Sequence, residues 1–130
     1  MGIVIDTSVI ISVITNETNK NRIIELTRDE DLFAPSSLHW EIGNAFSAML
    51  KRKKTEINLL LKAISYYKMI PLRLIDVDLS KSLKIAQEYN IYAYDAYFLE
   101  CSASFNLPLL TLDNSLKKIA MSMNIKLKEV

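Results

Sequence analysis

Ile3-Val4-Ile5-Asp6-Thr7-Ser8 opens with a β-branched apolar run and ends abruptly in an acid. Three successive apolar residues of this kind leave no face for water, so the run predicts a strand buried on both sides, as in parallel sheets covered by helices. The chain downstream repeats the theme. Leu32-Phe33-Ala34 before Pro35, Leu72 to Ile75, Leu109 to Leu112 and Ile125 to Val130 read as further strands.

Helical patterns lie between them. They run over Ser8 to Ile14, over Asn21 to Arg28 with Ile23, Ile24 and Leu26 inward, and from N-cap hydroxyls at Ser36 and Ser37 to Lys51 with Leu38, Ile42, Ala45, Phe46 and Met49 as the apolar stripe. Thr55 to Met69 follows, with Ile57, Leu60, Leu61, Ile64 and Tyr67 or Lys68 along one face before Pro71. Then come a helix capped by Asp78 and ending near Tyr89, Asp95 to Phe105, and Asn114 to Met123. Strands separated by helices of this length imply crossover units, hence an α/β fold: a three-layer α/β/α sandwich around a mostly parallel central sheet.

Composition narrows the chemistry. The chain has 130 residues with no Pro/Ser/Gly-rich divider, so residues 1–130 are expected to form a single domain. With Gly2 and Gly43 as its sole glycines, it cannot build a phosphate-cradling glycine loop, which excludes dinucleotide-binding Rossmann enzymes and P-loop NTPases. One histidine, His39, excludes most zinc hydrolases, and a lone Cys101 suits a reducing compartment. The amino terminus lacks a basic region ahead of its apolar run, and no apolar run nears the ~18 residues of a membrane span. A soluble cytoplasmic protein with no membrane partner is expected. Sixteen Lys plus Arg against fifteen Asp plus Glu give 16 − 15 = +1, no uniform basic coat.

Four acids stand where charge is expensive. Asp6 and Asp113 directly follow predicted strands, at the sheet edge where open α/β folds bind ligands. Glu41 borders the apolar stripe of its helix, and Asp95 opens a helix continuing Ala96-Tyr97-Phe98-Leu99. Helix capping explains any one of them, at ~1 kcal/mol each. Together, without a Lys or Arg beside them in sequence, they would repel one another unless a hard divalent cation, Mg2+ or Mn2+, sat among them. Asp76 and Asp78 also follow a strand, so pattern alone leaves them as further candidates for the cluster; a loop position for Asp76 and a helix cap for Asp78 are the favoured readings.

Ile3 to Ile10, Pro35-Ser36-Ser37-Leu38 with Glu41, Tyr94-Asp95-Ala96-Tyr97 and Leu110-Thr111-Leu112-Asp113 together resemble the PIN domain, and within it the VapC-type ribonuclease toxins. The resemblance spans essentially the whole chain. It implies that Asp6, Glu41, Asp95 and Asp113 form the family's acidic quartet, catalytic and metal-holding, with Ser8 and Thr111 as flanking hydroxyls that orient ligand carboxylates or the phosphate. It further implies Mg2+- or Mn2+-dependent cleavage of RNA, a homodimer, and inhibition by a small cognate antitoxin. A housekeeping RNA-processing nuclease and a catalytically silent RNA-binding or scaffold module are the alternatives.

Rival chemistries fit less well. An aspartyl-phosphate phosphatase needs an acid where Ser8 stands, and a receiver domain needs an acidic pair after its first strand where only Asp6 is present. For RNA binding the candidates are the run Lys51-Arg52-Lys53-Lys54 and the aromatics Tyr92 and Tyr94, although a basic run also suits a solvated helix end. His39, two residues before Glu41, does not share its helix face and is no strong general acid. Val9, Ile10, Ile11, Val13 and Ile14 exceed what one small core requires, predicting an exposed apolar groove for an antitoxin helix or a second copy.

Overall fold

A computed structural model describes residues 1–129. The order is β1 (Gly2–Ile5), α1 (Thr7–Ile14), α2 (Lys20–Thr27), β2 (Asp31–Pro35), α3 (Ser37–Lys51), α4 (Ile57–Tyr67), β3 (Leu72–Ile75), α5 (Leu79–Tyr89), α6 (Ala93–Phe105), β4 (Leu109–Leu110) and α7 (Asn114–Ser122). The four strands form one sheet in the order β3-β2-β1-β4, and every pairing is parallel. Residues Ile3, Val4 and Ile5 are almost wholly buried, because β1 is central in the sheet and helices cover both faces.

The chain steps from β1 to β2 to β3 in one direction, then returns across the sheet to β4 on the far side of β1. With right-handed crossovers, α1 to α4 cover one face, while α5 and α6 cover the other. The packing agrees: α1 touches α2, α3 and α4, and α6 lies over β1, β2 and β4 beneath α5. That position explains why α6 is buried nearly all round, through Ala96, Phe98, Leu99, Glu100, Cys101 and Ser102. Both α5 and α6 end on asparagines in the left-handed conformation, Asn90 and Asn106, a backbone state that Asn tolerates better than most residues. Among the described residues no helix is long and apolar enough to cross a membrane.

Several expectations are corrected. Ser36 precedes α3 but makes no capping bond; its hydroxyl donates instead to Asp76 (2.9 Å), and that of Ser37 to Glu41 (3.2 Å). Both hydroxyls are drawn to carboxylates at the sheet edge. Tyr92 caps α6, so Asp95 sits inside the first turn rather than opening the helix. On α2 and α4 the outward residues include Ile24, Ile57 and Leu61, and the buried face of α4 is Leu60, Ala63 and Tyr67.

Strand β4 stops at Leu110, where the Thr111 side chain turns to Asp6. Of the strand predicted over Ile125 to Val130, only a parallel bridge from Leu127 to Leu109 forms, and Val130 lies outside the described residues. In α1, Val9, Ile10 and Ile14 are buried and Ile11 and Val13 partly so, so the apolar excess feeds the core instead of an exposed surface. A groove does open where α1 ends against α3 and α4, about 710 Å3 in volume, lined by Val13, Met49, Leu59 and Tyr66 and edged by Lys54 and Lys62.

Candidate active site

The strand order reverses at β1, so the carboxyl ends of β1 and β4 mark the switch point of the sheet, the position where open α/β sheets bind ligands. Ile5 pairs with Leu110, so the next residues, Asp6 and Thr111, leave the sheet side by side. Asp6 is 5% exposed. One carboxylate oxygen accepts from the Ser8 hydroxyl (2.6 Å) and the Val9 amide (3.2 Å), and the other from the Thr111 hydroxyl.

Ser8 and Thr111 each work twice. The Ser8 oxygen also accepts from the Leu112 amide (3.1 Å), and the Thr111 oxygen from the Asp113 amide (3.0 Å). The two hydroxyls therefore tie the backbone carrying Asp113 to the carboxylate of Asp6. Asp113 itself caps α7, its Oδ1 accepting from the amides of Ser115 (2.8 Å) and Leu116 (3.2 Å). Capping engages one oxygen and leaves the other.

Glu41 lies over the same edge, one turn into α3. Its two oxygens accept from Thr7 on α1 (3.2 Å) and Ser37 on α3 (3.2 Å). These two donors were not singled out from sequence as partners of an acid. The Ser37–Glu41 spacing of four is a legible helix pair; Thr7, packed across from another helix, carried no local signal.

Electrostatics bind the four acids into one site. Burial raises the pKa of Asp6 against the pull of its three donors, and the negative charge of Asp113 raises it further. Burial pushes Glu41 up to about 7, opposed by Ser37 and Thr7 and reinforced by Asp95 and Asp6. Asp95 is raised by burial and by Asp113. Neither surface ion pair, Arg22–Glu25 or Arg73–Asp31, involves any of them. Thus four carboxylates repel one another at a partly dry edge, and among the described residues none of them forms an ion pair with Lys or Arg.

A hard divalent ion fits that donor set, which is all oxygen and surplus in negative charge. Among the described residues no three carboxylates converge into a finished cage. Asp6, Glu41, Asp95 and Asp113 are the carboxylates that could hold such an ion.

The other candidates are placed differently. Tyr92 is fully out in solvent at the start of α6, and Tyr94 meets Tyr97 edge to face at 6.1 Å. Lys51 ends α3, about 15 Å from Glu41 at ~1.5 Å per helical residue, and Arg52, Lys53 and Lys54 follow it in the turn. His39 turns away, its Nδ1 3.2 Å from the Tyr67 hydroxyl. Asp78 caps α5 through the Lys81 amide (2.8 Å).

Fold and site together define a parallel α/β domain with an acidic, cation-seeking edge. Residues 3–121 match the PIN domain, and the chain belongs to that family. Among solved structures it is similar to PAE2754 from Pyrobaculum aerophilum (19% identity over 92% of this chain and 79% of the other, TM-score 0.68). It is also similar to VapBC2 from Rickettsia felis, solved bound to a DNA fragment from their promoter (16% identity, 98% of each chain, TM-score 0.67). At these identities the likeness is one of fold. No curated protein sequence gives a significant match.

Proposed function

We propose that this PIN domain is a Mg2+- or Mn2+-dependent endoribonuclease and the toxin of a toxin–antitoxin pair, acting in the cytoplasm as a homodimer. The observation that carries the reading is the set of four mutually repelling carboxylates, Asp6, Glu41, Asp95 and Asp113, near the switch point of the sheet, with no ion pair to Lys or Arg among the described residues. A scaffold gains nothing from that repulsion.

A bound divalent ion would supply Lewis acidity toward a scissile phosphate and lower the pKa of water beside it. The chain's own part is positional. Ser8, Thr111 and the Val9 amide fix the Asp6 carboxylate in one rotamer, and Thr7 with Ser37 does the same for Glu41. Glu41, with its raised pKa, is suited to exchange a proton with water near neutral pH. The half-buried Asp95 projects from the first turn of α6, where the helix dipole favours its charge.

The toxin reading draws on the likeness to VapBC2 and on the groove beside α4. An apolar floor edged by Lys54 and Lys62 suits an amphipathic segment with acidic flanks, as a small antitoxin would present.

The test is direct. Purified protein should cut single-stranded RNA with Mg2+ or Mn2+, and Asp6→Asn or Asp95→Asn should lower the rate at least ~100-fold. Cleavage that survives either substitution, or excess EDTA, would overturn the metal-nuclease reading. Expression that arrests growth only without an adjacent small protein supports the toxin; harmlessness in both settings favours a housekeeping nuclease.

A further inference from the structure

A second cleft, about 260 Å3, opens beyond the carboxyl ends of β2 and β3 beside the four acids. Its walls are apolar: Pro35, Ile75, Val77 and Leu79, with the Tyr97 ring. Ser36, Ser37 and Asp76 are its polar lining. Ser37 is shared with the acidic site, since its hydroxyl donates to Glu41 (3.2 Å). The cleft therefore abuts the place where a phosphate would be cut.

We propose that this cleft seats one unstacked guanine base of the RNA, next to the scissile phosphate, with Asp76 reading its Watson–Crick edge. The inference rests on the nuclease reading and adds the specificity. Three observations carry it. The volume, about 260 Å3, lies just below the ~300–1,000 Å3 of drug-sized pockets, the scale of a single base rather than of a longer stretch of strand. The walls offer one aromatic residue, Tyr97, and aliphatic surfaces against which a base can pack.

The third observation is the polar group. A carboxylate only accepts hydrogen bonds. Guanine presents two adjacent donors, N1–H and the 2-amino group, whereas adenine and cytosine set a donor beside an acceptor and uracil flanks one donor with two acceptors. The Oδ1 atom of Asp76 is steadied by the Ser36 hydroxyl (2.9 Å), while Oδ2 accepts nothing among the described residues. The Ser36 amide also donates to the Ile75 carbonyl (2.9 Å), so the two strand ends forming the cleft are clamped together. One oxygen of this exposed carboxylate is thus tied to the strand end, and the other is open to a ligand.

Two measurements test this separately from the nuclease reading. In the first, the four nucleoside 5′-monophosphates are titrated into the 15N-labelled protein without metal. Guanosine monophosphate should shift the amides of Ser37, Val77, Leu79 and Tyr97 at concentrations about tenfold lower than the other three, and Asp76→Asn should abolish that preference. Equal response to all four, or shifts elsewhere on the chain, overturns the cleft whether or not the protein cuts RNA. In the second, RNAs differing in one base are cleaved with Mn2+. The rate ratio of guanine- to adenine-containing RNA should be at least about ten and fall towards one in Asp76→Asn. A ratio that Asp76→Asn leaves unchanged, with cleavage intact, overturns the guanine assignment alone.

Discussion

Glu41 shows how a residue can weaken the fold it belongs to. Its pKa of about 7 in the folded chain, against an ordinary value of 4.5, means that the folded state holds the proton more tightly than the unfolded state between those limits. Stability from this group is fully present below pH ~4.5 and is lost as pH rises through ~7. Asp6 and Asp95 shift in the same direction. Metal-free protein carrying Glu41→Gln should therefore melt a few degrees, roughly, above the unsubstituted chain near pH ~8 and level with it near pH ~4.5. Mg2+ should shrink the difference at pH ~8 by stabilising the charged form. Paired melting curves check it; a Glu41→Gln protein less stable than its parent at pH ~8 without metal would show that the carboxylate is a net stabiliser, contrary to its burial. Cys101 is the opposite kind of buried group: burial and neighbouring Glu100 push its thiol up to about 12, leaving it unreactive at neutral pH.

Elements are where the two glycines part company. Gly2 begins β1 against β2, and a Cβ there would stand 2.6 Å from the Phe33 ring and 3.2 Å from Leu107. Gly2→Ala forces the ring to shift and should cost about 1–3 kcal/mol. Gly43 lies on the outer face of α3 with nothing within 4 Å of a Cβ, so Gly43→Ala should stabilise by about 1 kcal/mol through helix propensity alone. Urea titrations of both variants would check the pair; a destabilising Gly43→Ala would mean that another surface packs closely on that helix. The same scale shows what was legible beforehand. The strands β1 and β3, the Asp78 cap and the inward residues Leu38, Ile42 and Phe46 follow from local pattern, and so does the placing of Asp6 beyond β1. The early end of β4 does not, because Thr111 leaves the ladder for a partner 105 positions away. Nor do the outward Ile57 and Leu61, since α4 packs its Leu60–Ala63–Tyr67 edge, with Ile64 beside it, against the body of the protein. Long-range pairings of this kind leave no trace in local periodicity.

At the scale of the whole molecule, the net charge of +1 is a sum of unlike regions. Setting aside Asp6, Glu41, Asp95 and Asp113 leaves sixteen basic residues against eleven acidic ones, 16 − 11 = +5. Four of the basic residues, Lys51 to Lys54, sit at the far end of α3 from the acids and in the turn after it, Lys51 about 15 Å from Glu41 at ~1.5 Å per residue. The Debye length is ~30 Å at 0.01 M salt and ~8 Å at 0.15 M, so if the protein cuts RNA as proposed, these charges would draw the RNA backbone in at low salt and be screened from the four acids at physiological salt. Replacing Arg52, Lys53 and Lys54 by Gln should lower kcat/KM severalfold near 0.01 M salt, with the loss fading by about 0.15 M and kcat unchanged throughout. Steady-state cleavage across a salt series distinguishes field from contact. A loss that persists at 0.15 M would mean that the strand runs along α3 and touches the basic end directly, so that the RNA path extends the length of the helix from its acidic start to its basic finish.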